Sequence, residues 1–448
     1  MRLSSPEAIN AHRKAPPVYL TGVKFAAMRT TRRTATLLAC ATLIGAAQPA
    51  AWTQEESTPT TSARESMPNT DGCPHATWPP EPRTTSEAAA AGSPTPLPVG
   101  YQGPCGVSTP DGFAVGEEVL ASAWLVADLD TGEVVAMKDP HGRYRPASII
   151  KVLLALVAID ELPLDKQVTV SAESANMEGS AAGIGAGGVY TVNDLLHGLL
   201  MASGNDTAHA LAQELGGDEA TLQKVNALAQ QLGMNDTRVA TYTGLDRPGM
   251  SSSAWDMALA YRAAFGNETF ARIVDTQSYP FPGFDDLPGF ELWNDNALYL
   301  NDPEGIGGKT GYTDDANHTF VGAVNHDGRR LVAVVLDTTV NKARAWQQAQ
   351  QLLHESYRFD PGTSVATLEA ASSQAPTALQ TPTATAEAPG GAAVAEAQAE
   401  PYSRARPWLP VLIVGAVLAL AGAGIIASRA LATTSGRHRG RRGQHRRR

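Results

Sequence analysis

Cysteine is nearly absent from this chain: three occur in 448 residues, too few for a multi-bridge disulfide framework. His197, His209 and His318 share no metal-ligand spacing, and no cofactor-binding motif is present, so neither a metal nor a cofactor is expected. The stretch 429–448 contains eight Arg and no acid. The residues before it therefore carry a net charge more negative than the overall −10. That basic tail also lacks interleaved aromatics, which disfavours nucleic acid as its partner. No internal repeat is evident, which excludes a solenoid.

What is present begins with two apolar runs. Trp408 to Ala427 reads WLPVLIVGAVLALAGAGIIA, uncharged and flanked by Arg406 and Arg429, about enough to cross ~30 Å of hydrocarbon. We read 407–428 as a transmembrane helix, with the basic tail 429–448 on the cytoplasmic side. Near the other end, Met28, Arg29, Arg32 and Arg33 precede an apolar stretch from Leu37 to Ala47 with small residues beyond it. This is the pattern of a secretory signal peptide, with translation beginning at Met28 and the leader ending near residue 51. A lipoprotein reading of Leu37-Leu38-Ala39-Cys40 is weaker, because the apolar run continues past Cys40. Signal plus stop-transfer helix predicts a single-pass protein of the cell membrane with an extracytoplasmic body. Cys40 leaves with the signal, so Cys73 and Cys105 are expected to form a disulfide in that oxidising compartment.

Residues 52–117 are rich in Pro, Ser and Thr without sustained period, which predicts extended coil pinned by the cysteine pair. Order is expected from 118 to 358. Two apolar hairpin patterns, 121–128 with 133–137 and 318–325 with 329–337, turn at Asp130-Thr131-Gly132 and His326-Asp327-Gly328. Between them lie helical patterns at 148–162, 192–200, 206–215 and 221–232, with another at 343–357. A sheet built from both ends of the domain around a helical insert is an α+β fold, an antiparallel sheet flanked by helices. Residues 359–406 turn to Ala, Pro, Thr and Glu and read as a disordered linker.

Three short motifs carry the chemistry. Ser148-Ile149-Ile150-Lys151 opens an apolar helix, and the i, i+3 spacing puts the Ser148 hydroxyl and the Lys151 amine on one face. A serine hydroxyl needs a base, and a lysine serves as one only when desolvation or a nearby cation lowers its pKa. Ser203-Gly204-Asn205 follows, and then Lys309-Thr310-Gly311 leads toward the second hairpin. Only eight lysines occur in the chain, yet two of them fill motif positions in the right order, which makes coincidence a poor account of the three.

With these motifs the chain resembles the penicillin-binding, active-site-serine peptidases, and among them the low-molecular-mass D-alanyl-D-alanine carboxypeptidases of β-lactamase-like fold, over roughly 118–357. Ser203-Gly204-Asn205-Asp206 is characteristic of those carboxypeptidases. The resemblance implies that Ser148 attacks the penultimate D-alanine carbonyl of a peptidoglycan stem peptide, that Lys151 takes its proton, and that Ser203 relays a proton to the leaving amine. It implies that Asn205 binds the substrate amide, that Lys309 and Thr310 face the terminal carboxylate, and that Gly311 lets the substrate backbone approach. The backbone N–H groups of Ser148 and Tyr312 become the oxyanion hole, Arg344 assists carboxylate binding, and β-lactams act as covalent inhibitors. Two rivals share the motifs. A class A-like β-lactamase needs a deacylating glutamate, whose motif Glu214, Glu268 and Glu291 do not match; a β-lactam sensor needs a signalling domain, which the short tail does not offer.

Overall fold

The chain alternates short strands and helices in an order that brings its two hairpins together. β1 (Val107–Ser108), β2 (Ala123–Asp128) and β3 (Glu133–Lys138) come first, and a 3-10 turn, Ala147–Ile150, leads into α1 (Lys151–Glu161). β4 (Gln167–Thr169), α2 (Ala172–Ala175), β5 (Val189–Thr191), α3 (Val192–Met201) and α4 (Asn205–Glu214) follow. Then come α5 (Asp218–Gln231), α6 (Ala254–Phe265), α7 (Glu268–Val274), β6 (Ser278–Phe281), β7 (Phe290–Trp293) and α8 (Ala297–Asn301). β8 (Gly305–Thr313), β9 (Asn317–His326), β10 (Arg329–Thr338), α9 (Ala345–Ser356) and β11 (Ala366–Thr367) complete the order.

This computed structural model describes residues 63–83 and 94–368, all in the first of two compact units, Met1–Ser373. The expected start at Met28, signal peptide, membrane helix and basic tail lie outside the described residues, as does most of the linker. Among the described residues no helix is long and apolar enough to cross a membrane.

The main sheet is antiparallel, in the order β1-β3-β2-β10-β9-β8, with β11 sharing the outer edge of β3 with β1. The pairing of β2 with β10, Leu125 opposite Val334, joins the two hairpins. The first hairpin turns where Asp128 Oδ1 accepts the N–H groups of Asp130 and Thr131, and Gly132 supplies φ 80°.

Side chains alternate along each central strand, so one strand feeds two cores. Leu125, Ala127, Val332, Val334 and Leu336 pack with α1, α3 and α6 in the larger core. Trp124, Val126, Leu331, Ala333 and Val335 lie under Leu352 and Leu353 of α9 in the smaller one. The helices begin where the sequence provides caps. Thr191 and Asp194 form a reciprocal capping box for α3, and the Ser253 hydroxyl accepts the Asp256 N–H at the start of α6.

Two expectations change. The Pro-rich segment is held at far more than its cysteine pair: Arg143 donates to the carbonyls of Thr77, Leu97 and Pro98, and Arg145 to that of Pro80. Buried arginines grip backbone carbonyls, a mode of attachment with no hydrophobic period to read. The start of the expected linker is also placed, because β11 pairs with β3 and Leu368 is buried.

Candidate active site

Ser148 lies in the 3-10 turn rather than in the first turn of an α-helix. The difference has a consequence. With three residues per turn, positions i and i+3 eclipse, and Lys151 Nζ stands 2.8 Å from Ser148 Oγ. The turn is held on several sides. Ala147 adopts φ 50°, Thr319 of β9 donates its hydroxyl to the Pro146 carbonyl at 2.8 Å, and buried Tyr261 of α6 donates to the Ile149 carbonyl at 3.0 Å. A non-glycine residue at positive φ persists only where its surroundings enforce it.

Lys151 is fully buried and donates a second hydrogen bond to the Thr243 carbonyl at 2.6 Å. Burial drives its ammonium well below the ordinary 10.5, and the charge of Lys309 pushes the same way; Asp295 and Asp206 oppose both. Lowering the pKa of an amine beside a hydroxyl favours the form that can receive the hydroxyl proton.

Lys309 is also fully buried, on β8, but its surroundings differ. Its Nζ is 3.6 Å from Asp295 Oδ2 and 3.1 Å from the Thr310 carbonyl oxygen. Burial lowers its pKa while the Asp295 carboxylate resists the loss of charge. The same carboxylate accepts the Thr310 hydroxyl at 3.0 Å. Neighbouring Gly311 is opposite Thr319 on β9, and a Cβ there would come within 2.3 Å of Thr319 Oγ1 and 3.1 Å of the Ser148 nitrogen. Only glycine lets β8 lie this close to the nucleophile turn. Among the described residues β8 is an edge strand, and its outer side has no strand partner there.

Ser203 and Asn205 come from the junction of α3 and α4. Ser203 is buried at φ 60°. Asn205 donates Nδ2 to the Glu178 carbonyl at 2.6 Å, while its buried Oδ1 has no hydrogen-bond partner among the described residues. Asp206 next to it accepts the N–H groups of Ala182, Gly183 and Ile184, fixing the loop that approaches from below.

Tyr312 is nearly half exposed, with its hydroxyl on Asp314 and its ring 4.7 Å from that of His318. Beyond it opens a cleft of about 540 Å³ lined by Glu178, Leu245, Asp246, Arg247 and residues 312–314. Arg344 is less closely joined to the site. It is exposed at the start of α9, its backbone N–H donates to Gln347 Oε1, and its charge joins burial in lowering the pKa of His318.

Several contributors escaped the sequence. Asp295, which serves both Lys309 and Thr310, and the Thr243 carbonyl come from loops without a motif. Gly244, at φ 84°, passes so near that a Cβ would stand 2.2 Å from the Ala147 carbonyl; one glycine among 41 gives no local signal. Cys73 and Cys105 form a disulfide away from these residues. Among the described residues no cluster of His, Cys, Asp and Glu could hold a metal ion.

A serine beside a buried lysine of lowered pKa, a carboxylate-paired lysine on an edge strand and an Asn with an open acceptor are the features of an active-site-serine hydrolase. The D-alanyl-D-alanine carboxypeptidase family model matches residues 109–340. The chain is 43% identical over 252 residues to the D-alanyl-D-alanine carboxypeptidase DacB2 of Mycobacterium tuberculosis, covering 55% of this chain and 86% of that one. It is 31% identical to DacF of Bacillus subtilis, where the match covers 52% of this chain and 61% of the relative. A crystal structure of a D-alanyl-D-alanine carboxypeptidase from Mycobacterium tuberculosis superposes with a TM-score of 0.56 at 41% identity, covering 58% of this chain and 99% of that one. This chain belongs to the D-alanyl-D-alanine carboxypeptidase family.

Proposed function

We propose that the protein removes the terminal D-alanine from peptidoglycan pentapeptide stems through an acyl-enzyme on Ser148, and that β-lactams acylate the same oxygen. The carrying observation is Lys151 Nζ, fully buried and 2.8 Å from Ser148 Oγ. Lys151 accepts the Ser148 proton as the oxygen bonds to the penultimate carbonyl carbon. The oxyanion is met by the N–H groups of Ser148 and Tyr312, a kind of contact typically worth ~10²–10³ in rate per donor. Ser203 passes a proton to the departing nitrogen, the C–N bond breaks, D-alanine leaves and water cleaves the ester.

The substrate extends along the open edge of β8, taking backbone hydrogen bonds there as an added strand does. Asn205 Oδ1 accepts a substrate N–H. Lys309, with Thr310 beside it, meets the terminal carboxylate, and Arg344 adds long-range attraction from the end of the sheet. This favours a substrate with a free C-terminus. The signal pattern and the apolar run at 407–428 support a single-pass protein of the cell membrane, with an extracytoplasmic catalytic domain, one C-terminal span and a cytoplasmic tail. Truncation before residue 407 is then expected to release the protein from the membrane fraction.

The test is D-alanine release from a pentapeptide ending in D-Ala-D-Ala, with Ser148→Ala as comparison. Release by the wild type alone supports the reading. A wild type that binds penicillin covalently but releases no D-alanine would make it a binding sensor instead.

A further inference from the structure

We infer that the segment 63–83 is a clamp on the substrate-facing strand, with Arg83 and Arg64 as positioning residues for the end of β8. The inference rests on the reading of β8 as the strand that takes substrate. It concerns residues that precede the family match, which begins at 109.

An edge strand has one neighbour to hold it, and among the described residues β8 pairs only with β9. Its C-terminal end carries Gly311 and Tyr312, so whatever fixes the turn between β8 and β9 fixes the end of the edge along which the substrate is proposed to bind. Arg83 holds that turn directly, and Arg64 reaches it through Asp337. Arg83 donates its backbone N–H to Asp315 Oδ1 at 2.6 Å and a guanidinium N–H to Asn317 Oδ1 at 2.8 Å. Asn317 is the first residue of β9, buried, at φ 56°, and opposite Thr313 of β8. Its Nδ2 donates to the Asp337 carboxylate, which also accepts the Ser122 hydroxyl. Arg64 closes the chain, with Nη2 at 2.8 Å from Asp337 Oδ2 and Nη1 on the Leu120 carbonyl at 3.2 Å. One buried asparagine thus receives an arginine from one end of the segment and, through a carboxylate, an arginine from the other.

The middle of the segment is anchored independently of the turn. Thr70 donates to the Cys105 carbonyl at 2.6 Å, Cys73 is disulfide-bonded to Cys105, and Arg143 and Arg145 hold the carbonyls of Thr77 and Pro80. A tether fixed in its middle presents both arginines at fixed positions, so their ordering costs little when substrate binds. The far side of the turn is met by Asp246, which accepts the Thr313 hydroxyl at 2.7 Å. The end of β8 is therefore held between two loops, and the segment is one of them.

The experiment compares the full-length wild type, Arg83→Ala, Arg83→Lys and the double variant Cys73→Ser, Cys105→Ser. Pentapeptide hydrolysis gives KM and kcat. Acylation of Ser148 by a fluorescent penicillin gives a second-order rate that needs no peptide turnover. We expect Arg83→Ala to raise KM about tenfold and slow acylation by a similar factor, the equivalent of about 1.4 kcal/mol for one charge-assisted bond. We expect kcat within about threefold of wild type and a melting temperature within about 3 °C. A single guanidinium nitrogen bonds Asn317, so Arg83→Lys should restore both readouts, and the double cysteine variant should share the KM defect. Unchanged KM and acylation in Arg83→Ala would overturn the inference; so would equal losses in Arg83→Ala and Arg83→Lys, or losses that follow melting temperature. A wild type that is acylated but releases no D-alanine would instead sink the hydrolase reading and leave the acylation comparison to decide this one.

Discussion

Two fully buried lysines face the same site from opposite layers, and the protein treats them differently. Lys151, on the helical side, has Ser148 Oγ and the Thr243 carbonyl as its hydrogen-bond partners. Lys309, on the sheet side, has the Asp295 carboxylate at 3.6 Å. Burial lowers the pKa of both ammonium groups, and the Asp295 carboxylate opposes the shift most directly at Lys309, with which it is paired. In the proposed mechanism this contrast separates a base from a fixed cation with identical side chains, and the environment sets the two roles.

Each side of this contrast can be broken. Lys151→Ala removes the base and should slow acylation of Ser148 by about 10³-fold, measured by stopped-flow with a fluorescent penicillin. Gly311→Ala tests the sheet side. Its methyl would collide with Thr319 and crowd the Ser148 nitrogen, so kcat/KM should fall by about 10²-fold, comparable to the loss of one oxyanion donor. Lys309→Gln should cost about 30-fold in kcat/KM for a substrate with a free carboxylate and much less for its amide.

The last variant also carries a pH signature. A base works only when deprotonated, so activity is lost as pH falls through the lowered Lys151 pKa. Removing the Lys309 charge takes away one cause of that lowering, and the acid limb should move to higher pH. Asp295→Asn should shift the limb oppositely, because this carboxylate favours the protonated lysine. Its effect on kcat/KM should be the smallest of the four, about fivefold, since the amide still accepts the Thr310 hydroxyl. Shifts of the same sign in the two variants would contradict the coupling of the lysines.

Much of this was legible in the sequence, for a physical reason. Ser148 with Lys151, and Lys309 with Thr310 and Gly311, are local patterns, because one turn of helix or three residues of strand set their geometry. The hairpins at 123–138 and 317–338 were legible because a half-turn period and Asp-Gly-type turns are local too. Asp295, the Thr243 carbonyl and Gly244 were not, since each is delivered by the tertiary fold from a loop with no motif of its own. The helix α6, apolar on most sides, gave no amphipathic period to find. The segment 63–83 is irregular and disulfide-pinned as its composition predicts, but its further anchoring is not legible because arginines gripping carbonyls leave no period in the sequence. The two-residue strands β1 and β11 are too short to carry any pattern.

The proposed mechanism needs Lys151 to be neutral beside Ser148, and the pH dependence of acylation measures this directly. The rate of fluorescent-penicillin acylation of the wild type should be followed from about pH 5 to about pH 11. The account predicts an acid limb well below the ordinary 10.5 of lysine, with a plateau above it. A rate that keeps climbing to about pH 10 would mean that Lys151 retains its proton at neutral pH, and the assignment of Lys151 as the base would be wrong.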